Sequence, residues 1–169
     1  QVLTDGGALH ADKLIVACGG AAGGKLGGVM DGYELLKPLG HKRTSLRPAL
    51  VQLITAPEYP RSLKGIRAEV QMGLYQGAAC LGKSRGELQF TETGVSGPAA
   101  FDLSRAAATA GEGAELRIDF LRDYPQEQVL ALLQNRRESF PQREGGELFT
   151  GMLHNRLGRM LVKYAGING

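Results

Sequence analysis

Apolar residues near the start of the chain form one continuous run that ends at paired glycines. Leu14–Ala17 reads LIVA and is followed by Cys18 and then by Gly19 and Gly20. A short apolar run of this kind predicts a buried strand, and the glycines predict a strand end where the backbone closely approaches a partner. The turn Asp5-Gly6-Gly7 upstream predicts a hairpin of short strands.

A short helix is predicted after the glycine-rich loop, in the segment DGYELLKPLGH. Asp31 is placed to cap this helix through its side-chain oxygen, and Gly40 suits its C-terminal end. Leu35, Leu36 and Leu39 would form its apolar face.

Residues 42–123 carry mainly strand patterns separated by glycine or proline turns. Four stretches alternate or are rich in β-forming residues: PALVQLITA, GIRAEVQMGLYQ, AACLGKSRGELQFTETG and AELRIDFL. One helix is predicted between them, after Ser96 or Gly97, with Pro98 at its first position and alanines along it. Four or more strands with short turns favour an antiparallel barrel or sandwich.

Helical spacing dominates the remaining residues, 124–169. A helix starting at Pro125 would place Val129, Leu132 and Leu133 on one face. The next stretch continues the pattern through Leu148, Met152, Leu153, Leu157, Leu161 and Val162. The patterns together predict an α+β fold: a glycine-rich α/β segment over 1–41, a β-barrel-like domain with one helix over 42–123, and a helical subdomain over 124–169.

Composition and charge narrow the class of protein. The 169 residues are 43% hydrophobic and 22% charged, which is typical of a globular protein, and no apolar run is long enough to span a membrane. The net charge of +3 is spread among acidic residues, with 6% aromatics, which favours a solvated mixed-charge surface over a nucleic-acid interface. A chain that starts at Gln1 is expected to be a piece of a longer protein.

Few side chains carry a pattern typical of catalysis or metal binding. Cys18 and Cys80 form no CxxC pair, so no metal site is expected and free buried thiols are predicted. His10, His41 and His154 are scattered, and surface or capping roles are favoured for them. At Ser96–Pro98 we favour a structural helix cap over an anion-binding site. Arg47 and Arg105 could bind a substrate carboxylate, but surface positions are favoured for both. The catalytic residues stay unknown.

Four short stretches, taken in their order along the chain, say more about the family of this protein than its composition does. They are Ala17–Gly20 (ACGG), Met30–Tyr33 (MDGY), Leu46–Val51 (LRPALV) and Phe90–Ala99 (FTETGVSGPA). This series resembles the HI0933-like (BaiN/YhiN-type) family of NAD(P)/FAD-dependent oxidoreductases, in which the corresponding pieces read ATGG, GDGY, LRPALV and FTH-G-[IV]-SGPA. The chain departs from that pattern at Cys18, Met30 and the position of the FTH histidine.

The resemblance implies a cytoplasmic bacterial flavoprotein with FAD as cofactor and NAD(P)H as a candidate electron donor. Residues 1–41 would be part of the flavin domain, and the remainder of that domain would come from elsewhere in the parent chain. The barrel and helices would be an insert that covers the flavin and an unidentified small-molecule substrate. The implied cofactor contacts are Ala17, Cys18, Gly19, Gly20, Asp31 and Gly32.

Two functions remain open from sequence. In the first, the chain is the insert-domain fragment of an oxidoreductase and is inert in isolation. In the second, the barrel is a non-enzymatic ligand- or partner-binding module and the glycine loop is a linker. A GxGxxG motif upstream of Gln1 would favour the first.

Overall fold

Two compact units, Gln1–Leu46 and Arg47–Gly169, make up the chain in the computed structural model, which describes residues 1–167. Asn168 and Gly169, the end of the predicted helical range 124–169, lie outside the described residues. The three predicted domain ranges stay predictions. The α+β class and the antiparallel β-structure are confirmed.

The first unit contains a hairpin and one short helix. Strands β1 (Val2–Thr4) and β2 (Gly7–Leu9) pair antiparallel, which confirms the predicted hairpin. The buried strand predicted at Leu14–Ala17 is wrong for this unit. Leu14 is 59% exposed and Ile15 90% exposed, and in residues 1–167 neither residue belongs to a paired strand.

Helix α1 (Asp31–Leu36) begins one residue earlier than predicted, because Asp31 was expected to precede the helix as its cap. Met30 is the N-cap residue and Asp31 is already helical, and no side chain caps the end, so the predicted capping by Asp31 is wrong. The Asp31 carboxylate instead lies in the first turn, where the helix dipole favours a negative charge. A 3₁₀ turn, Lys37–Leu39, continues the helix to Gly40, whose φ of 87° confirms the predicted end.

One five-stranded antiparallel sheet organises the second unit, in the order β3-β6-β5-β4-β7. The strands are β3 (Leu53–Ile54), β4 (Arg67–Gln76), β5 (Ala79–Phe90), β6 (Gly94–Ser96) and β7 (Glu115–Asp119). The long β4–β5 hairpin pairs Arg67 with Gln89 and Gln76 with Ala79. The strand predicted in PALVQLITA is only two residues long, as β3. Strand β6 was missed because three residues carry too little alternation to detect.

Alternation along β4 creates the core. Val70, Met72 and Leu74 all face inward and are at most 2% exposed, as the two-residue period of a strand requires. Leu88 of β5 is fully buried against the same core. Residues buried on helix α3 (Pro98–Ala110) complete the core, and they include Ala99, Ala100 and Leu103.

The start of helix α3 follows the sequence prediction. Gly97 is the N-cap residue and Pro98 the first helical residue. Gly97 has a φ of 96°, and a Cβ there would lie 2.7 Å from the carbonyl oxygen of Glu87. This end of the helix therefore needs glycine for packing against β5, which supports the predicted structural cap.

Three further helices belong to the second unit: α2 (Glu58–Ser62), α4 (Gln126–Ser139) and α5 (Asn155–Tyr164). A 3₁₀ turn, Gly145–Glu147, lies between α4 and α5. On α4, Val129 and Leu133 are half-buried, whereas Leu132 is 37% exposed, so its predicted place on the packed face is wrong. Throughout residues 1–167, every helix is too short or too polar to cross a membrane.

Candidate functional site

The glycine pair of the first unit packs directly against the start of helix α1. A Cβ placed on Gly32 would lie 2.6 Å from the Sγ atom of Cys18 and 3.3 Å from the carbonyl oxygen of Gly19. A Cβ here would require the Cys18 side chain and the Gly19 backbone to move, so glycine suits this close approach of the chain to the helix. The structure therefore brings Cys18 and Gly19 together with the Asp31–Gly32 pair, which the sequence separates by a long loop.

Gly20 is fixed by two contacts of its own. A Cβ on Gly20 would lie 2.6 Å from the hydroxyl oxygen of Tyr33, and the Gly20 carbonyl accepts a hydrogen bond from the Val29 amide at 3.0 Å. Tyr33 carries the Arg43 guanidinium over its ring at 5.6 Å. The need for glycine at this position thus has an explanation within unit 1.

The loop from Gly20 to Val29 folds into a turn whose two ends are joined by a backbone hydrogen bond. A Cβ on Gly28 would lie 1.9 Å from the carbonyl oxygen of Ala22, which is far inside van der Waals contact. Gly23 accepts hydrogen bonds from the amides of Leu26 and Gly28. The loop is therefore a defined turn, stabilised by backbone contacts rather than by side chains.

The side chains of this segment lie at the surface. Ala17, Cys18, Gly19 and Asp31 are exposed, whereas Gly20 is half-buried and Gly32 buried. The prediction of buried thiols is wrong, since Cys18 and Cys80 are both free and exposed. The number and spacing of the cysteines suggested free buried thiols, but neither cysteine lies where a core covers it.

Other candidates from the sequence take structural roles. Arg47 donates from Nη1 to the carbonyl oxygen of Ala108 at 2.6 Å, close to the end of α3, where a cation is favoured by the helix dipole. His154 is the N-cap of α5 and its Nδ1 accepts from the Arg156 amide at 3.2 Å, which confirms a capping role. Arg105, His10 and His41 are exposed.

A large cavity within the second unit was missed by sequence reasoning. It has a volume of about 800 Å³ and is lined by both edge strands of the sheet, β3 and β7, and by α3 and α5. The sheet is curled into a half-barrel, since its two edge strands line the same cavity. Sequence patterns give the inward face of each strand but not the curvature that brings the edges together.

Charge is confined to the rim of this cavity. Among its lining residues only Glu115 and Arg117 are charged, and they bind each other through Arg117 Nε and Glu115 Oε1 at 3.1 Å. The Arg117 hydrogen bond and charge lower the pKa of the Glu115 carboxyl, and Glu115 raises the pKa of Arg117 in return. Arg117 also lies over the Tyr75 ring at 4.3 Å.

Neither region offers a group of metal ligands. Within residues 1–167, no three His, Cys, Asp or Glu side chains are grouped so that they could hold a metal ion. The first unit therefore offers glycine backbone as a binding surface, and the second unit offers a largely apolar cavity.

Comparison with known proteins connects both units to one family. The sequence profile described as "HI0933-like protein barrel and H2TH domain" matches residues 47–169. These limits coincide with the second structural unit, whose half-barrel sheet and following helices have the elements that the description names.

A curated relative aligns with most of this chain. The chain is similar to the 3-dehydro-bile acid delta(4,6)-reductase of Clostridium scindens, with 31% identity over 159 residues. The match covers 92% of this chain and 39% of that reductase, so the chain spans well under half of the relative's length. The chain belongs to the family of HI0933-like proteins, and its residues 47–169 are the barrel and H2TH domain of that family.

Proposed function

We propose that this chain is part of an FAD-dependent oxidoreductase of bacterial cytoplasm, with unit 1 contributing to the flavin site. The observation that carries the proposal is the extent of the match to an oxidoreductase. Because 92% of the chain is covered, the residues left out are fewer than the 46 residues of unit 1. The similarity therefore extends beyond the barrel into the glycine-rich unit. This relation does not favour the non-enzymatic barrel module.

The geometry of unit 1 fits a flat cofactor lying against its backbone. A Cβ added to Gly32 or to Gly20 would lie 2.6 Å from the Sγ atom of Cys18 or the hydroxyl oxygen of Tyr33, so a neighbouring side chain would have to move. A Cβ built on Gly19 would meet no atom within 4 Å, which leaves room for a cofactor beside this residue, and its φ of 75° favours glycine there. Bound FAD would supply hydride or electron transfer, which none of this chain's own side chains provides.

Six residues are proposed to contribute to this site. The backbone of the segment around Cys18 would contact the cofactor, and the segment itself would be fixed by packing on α1. These residues are Ala17, Cys18, Gly19, Gly20, Asp31 and Gly32. Asp31 lies in the first turn of α1 and would place a negative charge beside the cofactor-contacting backbone.

The second unit is proposed to cover the flavin and exclude water from the substrate. The rest of the flavin domain would come from the remainder of the parent polypeptide, so the isolated 169-residue chain should be inert. NAD(P)H is proposed as the electron donor. A 3-dehydro-bile acid, the compound class in the relative's name, is the first substrate to test.

The absorption spectrum of the full-length protein, purified from its complete reading frame, tests the flavin proposal. We expect flavin bands, which bleach on anaerobic addition of NADH or NADPH and return when the reduced protein is mixed with an electron acceptor. A protein that is colourless and fails to take up added FAD would reject the proposal.

A pair of glycine variants tests the role of the unit 1 segment. Gly32→Ala should reduce FAD affinity about tenfold, because Gly19 backbone would have to move by a few tenths of an ångström. Gly24→Ala is the matched control, since its Cβ would meet no atom within 4 Å. Equal FAD affinity for both variants would remove Gly32 from the site.

A further inference from the structure

The two edge strands of the half-barrel run in the same direction, which constrains how the sheet can close. Strand β4 is antiparallel to both β5 and β7, β6 is antiparallel to β5, and β3 is antiparallel to β6. Strands β3 and β7 are therefore parallel to each other. Direct pairing between them would introduce a parallel pair into an antiparallel sheet, whereas one intervening strand would be antiparallel to both.

We propose that a sixth strand, from a segment of the same polypeptide outside residues 1–169, inserts between β3 and β7 and closes the barrel. It would run in the direction of β4 and β6. At its β7 side it would pair with Glu115–Asp119, so about five residues would match that edge. This proposal concerns the fold of unit 2 and does not depend on flavin binding.

The lining of the cavity indicates the chemistry of this strand. Ile54 is 79% exposed although it lines the cavity, and Leu116, Ile118 and Phe120 are only half-buried there. With only the paired Glu115 and Arg117 charged at the rim, the inward positions of the strand should be apolar. We expect alternating β-branched or aromatic residues, without proline at the positions that pair with the edges.

A strand satisfies this cavity better than a small molecule does. Strands β3 and β7 each pair with one neighbour within the described residues, so each leaves one row of backbone N–H and C=O groups for a second partner. An apolar ligand would cover the side chains and leave those groups unpaired. A strand of the same polypeptide would fill the volume and pair both edges.

The size of the relative supports a source within the same polypeptide. Most of the length of the Clostridium scindens reductase lies outside the match with this chain. The matched family domain is described as a barrel, whereas residues 47–167 contain a sheet with two edges. The strand that completes the barrel is therefore assigned to the polypeptide outside these residues.

Photocross-linking in the full-length protein tests the assignment. Ile54 is replaced by p-benzoylphenylalanine, the purified protein is irradiated, and the cross-linked peptides are sequenced by mass spectrometry. We expect one intramolecular cross-link, to an alternating apolar segment outside residues 1–169. The matched control carries the same group at Leu130, which is 56% exposed on α4 and does not line the cavity. It should not label that segment.

Other outcomes overturn the proposal. A cross-link to residues within 1–169, to a second copy of the protein or to a different protein would reject the sixth strand, and so would the absence of any cross-link. If the Ile54 variant loses the wild-type circular dichroism spectrum, the same group at Tyr164, which lines the cavity and is 66% exposed, gives the deciding result. A colourless protein that still forms the cross-link would reject the flavin proposal alone.

Discussion

The two units of the chain are stabilised in different ways. Unit 2 buries a continuous apolar core in which Val70 and Leu88 have no exposed surface. In unit 1 the only buried residue is Gly32 among those the structure describes, while Ile15 is 90% and Leu26 94% exposed. Unit 1 is fixed by backbone hydrogen bonds and by close approaches at glycines.

This difference separates what each unit can do alone. Apolar burial is the dominant favourable term in folding, so unit 2 carries a source of stability within its own sequence. The exposed apolar run in unit 1 has the composition of a core strand without the contacts of one. Unit 1 is therefore expected to gain stability from a partner, which agrees with its proposed place in a larger flavin domain.

The largest contrast between the units should come from removing apolar side chains. Leu88→Ala creates a cavity in a fully buried position and should lower the free energy of unfolding by about 2–5 kcal/mol. Ile15→Ala in unit 1 should change it by less than about 0.5 kcal/mol in the 169-residue chain. Urea unfolding followed by circular dichroism measures both values.

The same Ile15→Ala change sharpens the comparison in the full-length protein. If Ile15 packs against the rest of the flavin domain, the substitution should destabilise the full-length protein by about 1 kcal/mol or more. A negligible effect in both forms would mean that the apolar run remains exposed, and the proposed partner for unit 1 would lose its support.

The glycine contacts that hold unit 1 should contribute less than the buried Leu88 side chain does. Gly28→Ala would place a Cβ 1.9 Å from the Ala22 carbonyl oxygen, so the turn must open. The Val29 amide, which donates to Gly20, should then exchange about 30-fold faster, equivalent to about 2 kcal/mol. Hydrogen exchange followed by NMR measures this rate.

Gly24→Ala is the control for that experiment, because its Cβ would meet no atom within 4 Å. It should leave the exchange rate of the Val29 amide within about twofold of the original chain. Similar acceleration in both variants would show that the turn depends on glycine flexibility in general and not on the contact with Ala22.

Sequence reasoning succeeded where local chemistry decides the outcome. Pro98 at the start of α3 and Gly40 after α1 were predicted correctly, since proline fixes a helical φ and glycine permits the positive φ of a helix end. The presence of strands β4 and β5 followed from strand alternation and β-rich composition. The long-range pairing order of the sheet and the three-residue strand β6 were beyond local patterns, because each depends on partners distant in the sequence.

The candidate site shows the same division. The glycines were identified from the sequence, but the contact between Cys18 and Gly32 depends on how the intervening loop folds. The strand at Leu14–Ala17 was predicted from composition alone, and a strand also requires a neighbour. The cavity between β3 and β7 depends on sheet curvature, which no single segment encodes.

A third prediction separates two reasons for glycine at position 20. Gly20→Ala should reduce FAD affinity of the full-length protein about tenfold, because the new Cβ would displace the Tyr33 hydroxyl. Adding Tyr33→Phe removes that oxygen, and the nearest remaining ring atom is 3.4 Å away. The double variant should therefore recover FAD affinity to within about twofold.

Tyr33→Phe alone is the control and should bind FAD as the original protein does. If the double variant stays as weak as Gly20→Ala, the Cβ must clash with something other than Tyr33, and direct contact between Gly20 and the cofactor becomes the better explanation. Isothermal titration of the apoprotein with FAD gives the three affinities.

The smallest expected effect concerns an exposed ion pair of unit 2. Lys64 Nζ lies 2.9 Å from Glu92 Oε2, and this hydrogen bond and the Lys64 charge lower the pKa of the Glu92 carboxyl from its ordinary value. A carboxyl whose pKa is lowered on folding stabilises the protein above its unfolded pKa, and this contribution is lost as the pH falls through the folded pKa. Lys64→Gln should weaken this contribution, because only the smaller effect of the Arg61 charge would then lower the pKa of Glu92.

An NMR titration of the Glu92 carboxyl carbon measures the effect directly. The midpoint should be higher in Lys64→Gln than in the original chain, and Lys83→Gln, which changes another exposed lysine of unit 2, should leave it unchanged. Because both partners are more than half exposed, added salt should reduce the difference. An equal midpoint in all three proteins would show that Lys64 and Glu92 do not pair in solution.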